Sequence, residues 1–117
     1  DLDYHIPLEN HPKYLGMIPN PIKLSNFEYF LMSINGKIVI FHGINKNNYL
    51  HKGNNLFDLA LEVIEAKYHD KIEIIRVSNL PYSEYIKSFD KAHILLDQVY
   101  AYDQGFNALE AILFFNK

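Results

Sequence analysis

KIVIFHGINKNNYLHKGNNLFDLALEVIEAK, residues 37–67, holds an apolar run, a polar stretch and an amphipathic stretch in that order. Ile38-Val39-Ile40-Phe41 is a continuous apolar run of β-favouring residues, the mark of a strand covered on both faces. A polar loop follows from His42 to Asn55. Leu56, Leu59, Ala60, Val63, Ile64 and Lys67 then recur at helical spacing. Asn55 is the expected N-cap, and Asp58 three residues on favours a helix N-terminus. Further along, Ile72-Glu73-Ile74-Ile75-Arg76-Val77 reads as a second strand. Pro81 or Ser83 opens a short helix through Phe89, His93-Ile94-Leu95-Leu96 is a third strand, and a last helix runs from Gly105 to Phe114. Strands alternating with helices in the order β-α-β-α-β-α imply parallel pairing through crossovers. The expected class is α/β, a Rossmann-like three-layer α/β/α arrangement over residues 37–117.

Residues 1–36 differ in composition. Four of the five prolines (Pro7, Pro12, Pro19 and Pro21) fall there, and proline biases its predecessor away from the helix. This part reads as a linker or wrapping segment leading into the domain, with a short strand near Leu15–Ile18. Tyr14, Leu15, Phe27 and Phe30 are available to fold back over the domain. The final Leu113-Phe114-Phe115 is apolar and comes where a parallel sheet would gain another strand. The chain is therefore expected to be a piece of something larger, with a homodimer through the exposed C-terminal helix as one outcome.

The whole chain has 117 residues, 49% hydrophobic and 21% charged, which fits one globular domain. A net charge of −3 argues against a surface that works by neutralising nucleic-acid phosphates. The absence of cysteine excludes disulfides, thiolate metal sites and cysteine nucleophiles. No apolar run approaches the about 20 residues of a membrane span, and the start lacks the pattern of a signal peptide. The expected location is cytoplasmic, peripheral to a membrane as part of a longer protein.

In an open parallel sheet, ligands bind outside the carboxyl ends of the strands. Three loops meet that edge: His42–Asn55, Ser78–Tyr82 and Asp97–Gly105. The first carries Gly43, Lys46, Lys52 and Gly53 just before a helix, where cations beside a helix N-terminus suit a diphosphate. Neither GxxxxGK[ST] nor GxGxxG is present. Gly105 permits close backbone approach at a helix start. Glu110 lies among Leu109, Ala111, Ile112 and Leu113, where a carboxylate needs a partner such as a ribose hydroxyl. The bland alternatives are a solvated loop and a glutamate pointing into water.

Residues 37–117 resemble the nucleotide-sugar-binding half of a glycosyltransferase of the GT-B fold, family 4. Lys52-Gly53 before a helix is similar to that family's Lys-Gly element. Gly105-Phe106-Asn107-Ala108-Leu109-Glu110-Ala111 resembles the second part of its E-x7-E motif, and Ile18-Pro19-Asn20-Pro21-Ile22 the turn that precedes the domain. The resemblance implies that Lys52, Lys46, Gly53 and Gly43 meet the donor diphosphate and Glu110 the ribose. It also implies that Asn79, Leu80 and Pro81 lie against the base. Tyr102, Asp103, Gln104, Gly105, Phe106 and Asn107 would surround the donor sugar. Tyr102 stands where the family has its first glutamate, a departure at the sugar position. The implied activity is metal-independent, retaining hexosyl transfer from a nucleoside diphosphate sugar, in bacterial polysaccharide or lipopolysaccharide assembly. The acceptor would be held by a separate N-terminal domain, and no cofactor is implied. A sugar-nucleotide epimerase and a flavodoxin-like interaction module without a ligand are the alternatives.

His42 ends the first strand at the ligand edge, either touching the donor or bonded to backbone. His51 adjoins Lys52, where it either supports the phosphate site or, the simpler expectation, is exposed. His93 lies at the opposite end and reads as structural. His5, His11 and His69 have no ligand spacing, and Asp1-Leu2-Asp3 lacks the surroundings of a metal clamp. No serine occupies a GxSxG elbow. Tyr100 and Tyr102 are the aromatics placed to stack on a sugar or base, the others being expected in the core and at edges.

Overall fold

The computed structural model describes residues 2–21, 34–102 and 104–114, apart from the side chains of Phe89, Leu113 and Phe114. Phe27, Phe30, Asp1, Asp103 and Phe115 lie outside the described residues. The elements are α1 (Leu2–Leu8), β1 (Ile38–Ile44), α2 (Asn54–Tyr68), β2 (Ile72–Ser78), α3 (Tyr82–Lys87), β3 (Ile94–Leu96) and α4 (Phe106–Phe114). Short 3-10 turns occupy Lys46–Asn48 and Ser88–Lys91. The chain is an α/β protein with a three-stranded sheet in the order β2-β1-β3. Both pairings are parallel, with Ile40 opposite Ile74 and Ile94, and Phe41 opposite Ile75 and Leu95.

The central place of β1 follows from its sequence. Val39, Ile40, Phe41 and His42 are all buried, as only a strand with neighbours on both faces requires. Successive residues divide between two clusters, as the pleat demands. Ile38 and Ile40 pack with Ile72, Ile74, Leu96 and with Leu61 and Ile64 of α2. Phe41 packs with Ile75, Val77, Leu95, with Tyr85 and Ile86 of α3, and with Ala111 of α4. At the amino end, His93 donates its backbone N–H to the Val39 carbonyl (2.9 Å). Its Nδ1 accepts the Val39 N–H (2.9 Å). His93 is thus structural, a side-chain link between β1 and β3.

Several boundaries differ from expectation. β1 runs on through His42 and Gly43 to Ile44, so the first loop is Asn45–Gly53, shorter than His42–Asn55. Gly53, not Asn55, caps α2; its φ of 71° is left-handed, a conformation that glycine adopts without steric cost. β3 begins at Ile94, and α3 ends at Lys87 before passing into a 3-10 turn. No strand forms at Leu15–Ile18, where Leu15 is fully exposed. The N-terminal segment instead contains α1, with Pro7 inside it and no buried residue. α1 is held to the β3–α4 loop by the Tyr102 N–H, which donates to Asp3 Oδ1 (2.9 Å), and the His5 ring meets the Tyr14 hydroxyl at 2.7 Å.

Candidate functional site

The chain leaves β1 toward β2 on one side and later returns to β3 on the other, which creates a switch point at the carboxyl edge of the sheet. A cleft of about 400 Å³ opens at that edge. Gly43 and Ile44 from β1 and Val77 from β2 form its floor, with Asn45, Asn47 and Lys52 from the first loop. Asn79 and Leu80 from the second loop, Tyr82 and Tyr85 from α3, and Asn107 from α4 complete the lining. Asn79 holds a positive φ of 53°, a conformation asparagine tolerates better than most residues. Gly43 lies beneath Tyr85: a Cβ there would come within 2.6 Å of the Tyr85 hydroxyl.

Lys52 does not stand alone in the cleft. Its Nζ lies 3.3 Å from Asp97 Oδ1, with both side chains largely buried. The second oxygen of Asp97 accepts the Gly105 N–H at 3.0 Å, immediately before α4. The Val99 N–H also donates to the Lys52 carbonyl (2.9 Å), so the first and third loops are joined through main chain and side chain. Tyr82, which also lines the cleft, donates its Oη hydrogen to Glu110 Oε1. Glu110 Oε2 is buried and has no hydrogen-bond partner among the described residues. That hydrogen bond, and then burial and the Glu110 charge, raise the Tyr82 pKa above its ordinary value. Tyr85 is pushed up to about 12, first by burial and then by the charges of Asp97 and Glu110.

Beneath the first loop lies a buried polar chain. His42 is fully buried, and its Nε2 meets Asn54 Oδ1 at 2.8 Å. Asn54 Nδ2 donates to the Tyr49 carbonyl (3.1 Å), which leaves Oδ1 to accept from the ring. Tyr49 Oη donates to Asp58, and that bond, then burial, raises the Tyr49 pKa. His42 Nδ1 has no hydrogen-bond partner among the described residues and lies 3.7 Å from Asp58 Oδ1. His42 therefore neither faces the cleft nor bonds to backbone; it anchors the loop through Asn54.

The structure brings together Gly43, Lys52, Asn79, Leu80 and Asn107 from the expected set as cleft lining. Glu110 does not line the cleft; it accepts a hydrogen bond from Tyr82, which does. Gly53 is buried at the start of α2, and Gly105 serves as the amide donor to Asp97. Lys46 stands exposed in the 3-10 turn and does not line the cleft. Pro81 caps α3 and is exposed. Tyr102, Gln104 and Phe106 are exposed outside the lining, as is Tyr100. Sequence reasoning missed Asp97, Tyr82, Tyr85 and Asn54. Only Asp97 carried a signal, as a carboxylate directly after a parallel strand.

Among the described residues no group of three or more His, Asp or Glu side chains could hold a metal ion. None of their helices is long and apolar enough to cross a membrane. No family model, no curated protein and no solved structure matches the chain.

Proposed function

We propose that this chain is the donor-binding part of a glycosyltransferase, a Rossmann-like three-layer domain equivalent to the second half of a GT-B fold. It takes a nucleoside diphosphate sugar in the cleft at the carboxyl edge of the sheet. The observation that carries the reading is a cleft lined by the Lys52 ammonium and by Tyr82, with the Glu110 carboxylate held behind Tyr82 and one of its oxygens buried without a partner among the described residues. A diphosphate needs the ammonium, and the hydroxyls of a ribose supply the donors that the carboxylate lacks. Asn79 and Leu80, between β2 and α3, offer an amide and an apolar surface to a base. In this reading the acceptor belongs to a separate N-terminal domain, and the donor half binds without transferring.

Calorimetric titration with UDP, GDP and ADP tests the proposal. At least one binds, and Lys52→Ala weakens it by about 1.5–3 kcal/mol, the range for a charge-assisted hydrogen bond. Glu110→Gln weakens the nucleotide but not inorganic pyrophosphate. Absence of binding by all three, or binding indifferent to Lys52, sinks the reading and favours an interaction module.

A further inference from the structure

We propose that the chain holds its own stand-ins for a nucleotide on two residues that line the cleft, Lys52 and Tyr82: the Asp97 carboxylate takes the place of a phosphate on Lys52 and the Gly105 N–H, and the Tyr82 hydroxyl takes the place of a ribose hydroxyl on Glu110. The inference rests on the donor-binding reading of Lys52 and Glu110. It makes Asp97 and Tyr82 the residues that decide which ligands enter.

Asp97 spreads its two oxygens between a side-chain cation at 3.3 Å and a main-chain amide at 3.0 Å. Paired use of a lysine and a backbone N–H before a helix is how a phosphate is held. A carboxylate in that arrangement carries the same sign of charge, so an incoming phosphate oxygen must displace it from Lys52 or share the ammonium with it. Tyr82 behaves likewise. Its hydroxyl satisfies one Glu110 oxygen and leaves the other buried without a partner. A vicinal diol offers two donors where Tyr82 offers one. The Tyr82 side chain costs little to move, since the residue is 62% exposed. The two contacts belong to one place: Lys52 and Tyr82, the residue of each pair that faces the cleft, line it together.

The two stand-ins act on different halves of a ligand, which separates them experimentally. Asp97→Asn removes the competing charge and keeps an acceptor for the Gly105 N–H. Tyr82→Phe removes the hydroxyl and keeps the ring. Wild type and both variants are titrated with inorganic pyrophosphate and with UDP, GDP and ADP. Asp97→Asn is expected to bind pyrophosphate and nucleoside diphosphate roughly tenfold more tightly, as loss of about 1.4 kcal/mol of competition gives. Tyr82→Phe tightens the nucleotide several-fold and leaves pyrophosphate unchanged. If Asp97→Asn loses its folded circular-dichroism spectrum, Asp97→Ser, which also removes the charge and keeps a hydroxyl acceptor, replaces it with the same expectation. Nucleotide binding that neither substitution tightens overturns the stand-ins and leaves the donor-binding reading intact. No nucleotide binding by wild type or by any variant overturns both.

Discussion

Asn54 shows how much one side chain carries here. It is fully buried at the first position of α2 and satisfies both His42 Nε2 and the Tyr49 carbonyl. Asn54→Ala strands a buried ring N–H and removes the side-chain donor to that carbonyl, at about 1–3 kcal/mol for a buried group left unsatisfied. Denaturant unfolding should show that loss, and a change within a few tenths of a kcal/mol would contradict the buried network. Tyr85 gives a pH signature. Its phenol is raised in the fold from 10.0 to about 12, so the neutral form is favoured in the native state. The stability it contributes is complete below pH 10 and is lost as pH rises toward 12. Phenolate absorbance should show a late-ionising tyrosine that disappears in Tyr85→Phe; its persistence in the variant would assign it elsewhere. None of these partners was legible locally. Glu110 among apolar residues announced that it needed a donor, but not that Tyr82, 28 positions away, supplies one. Likewise Lys52 announced a cation, while Asp97 lies 45 positions on.

The elements were more legible than their ends. Ile38–Phe41 could only be a central strand, because four consecutive apolar side chains need cover on both faces. Its extension through His42 and Gly43 was hidden, because a polar and a small residue there read as loop until Asn54 and Tyr85 close over them. At the start of α2, asparagine is the favoured cap and glycine only a modest one. The expectation therefore fell on Asn55, although the left-handed turn at Gly53 ends the loop. Gly53→Ala tests that turn. A left-handed non-glycine residue costs about 1–2 kcal/mol, and its Cβ would also stand 2.8 Å from Val99 Cβ. The variant should lose at least the backbone cost in chemical denaturation, and a neutral substitution would show that the loop does not need that conformation. α1 escaped notice for a related reason. Pro7 argues against a helix, and the contact that ties α1 down, Asp3 to Tyr102, spans 99 positions.

At the scale of the molecule, the sheet order β2-β1-β3 gathers three loops at one edge. The order of elements in the sequence implied that gathering; the pairing of opposite charges inside it depends on contacts between distant segments. In the proposed function this edge receives a nucleoside diphosphate at Lys52 and at Tyr82, with Glu110 behind it. Mapping amide chemical shifts while titrating UDP, GDP and ADP into the isotope-labelled chain tests it most directly. The claim predicts that at least one nucleotide shifts the amides of residues 43–53, 77–82 and 97–110, and that Lys52→Ala and Glu110→Gln each weaken the effect. Shifts confined to the opposite edge around Lys37 and His69, or no shifts with any of the three, would contradict it.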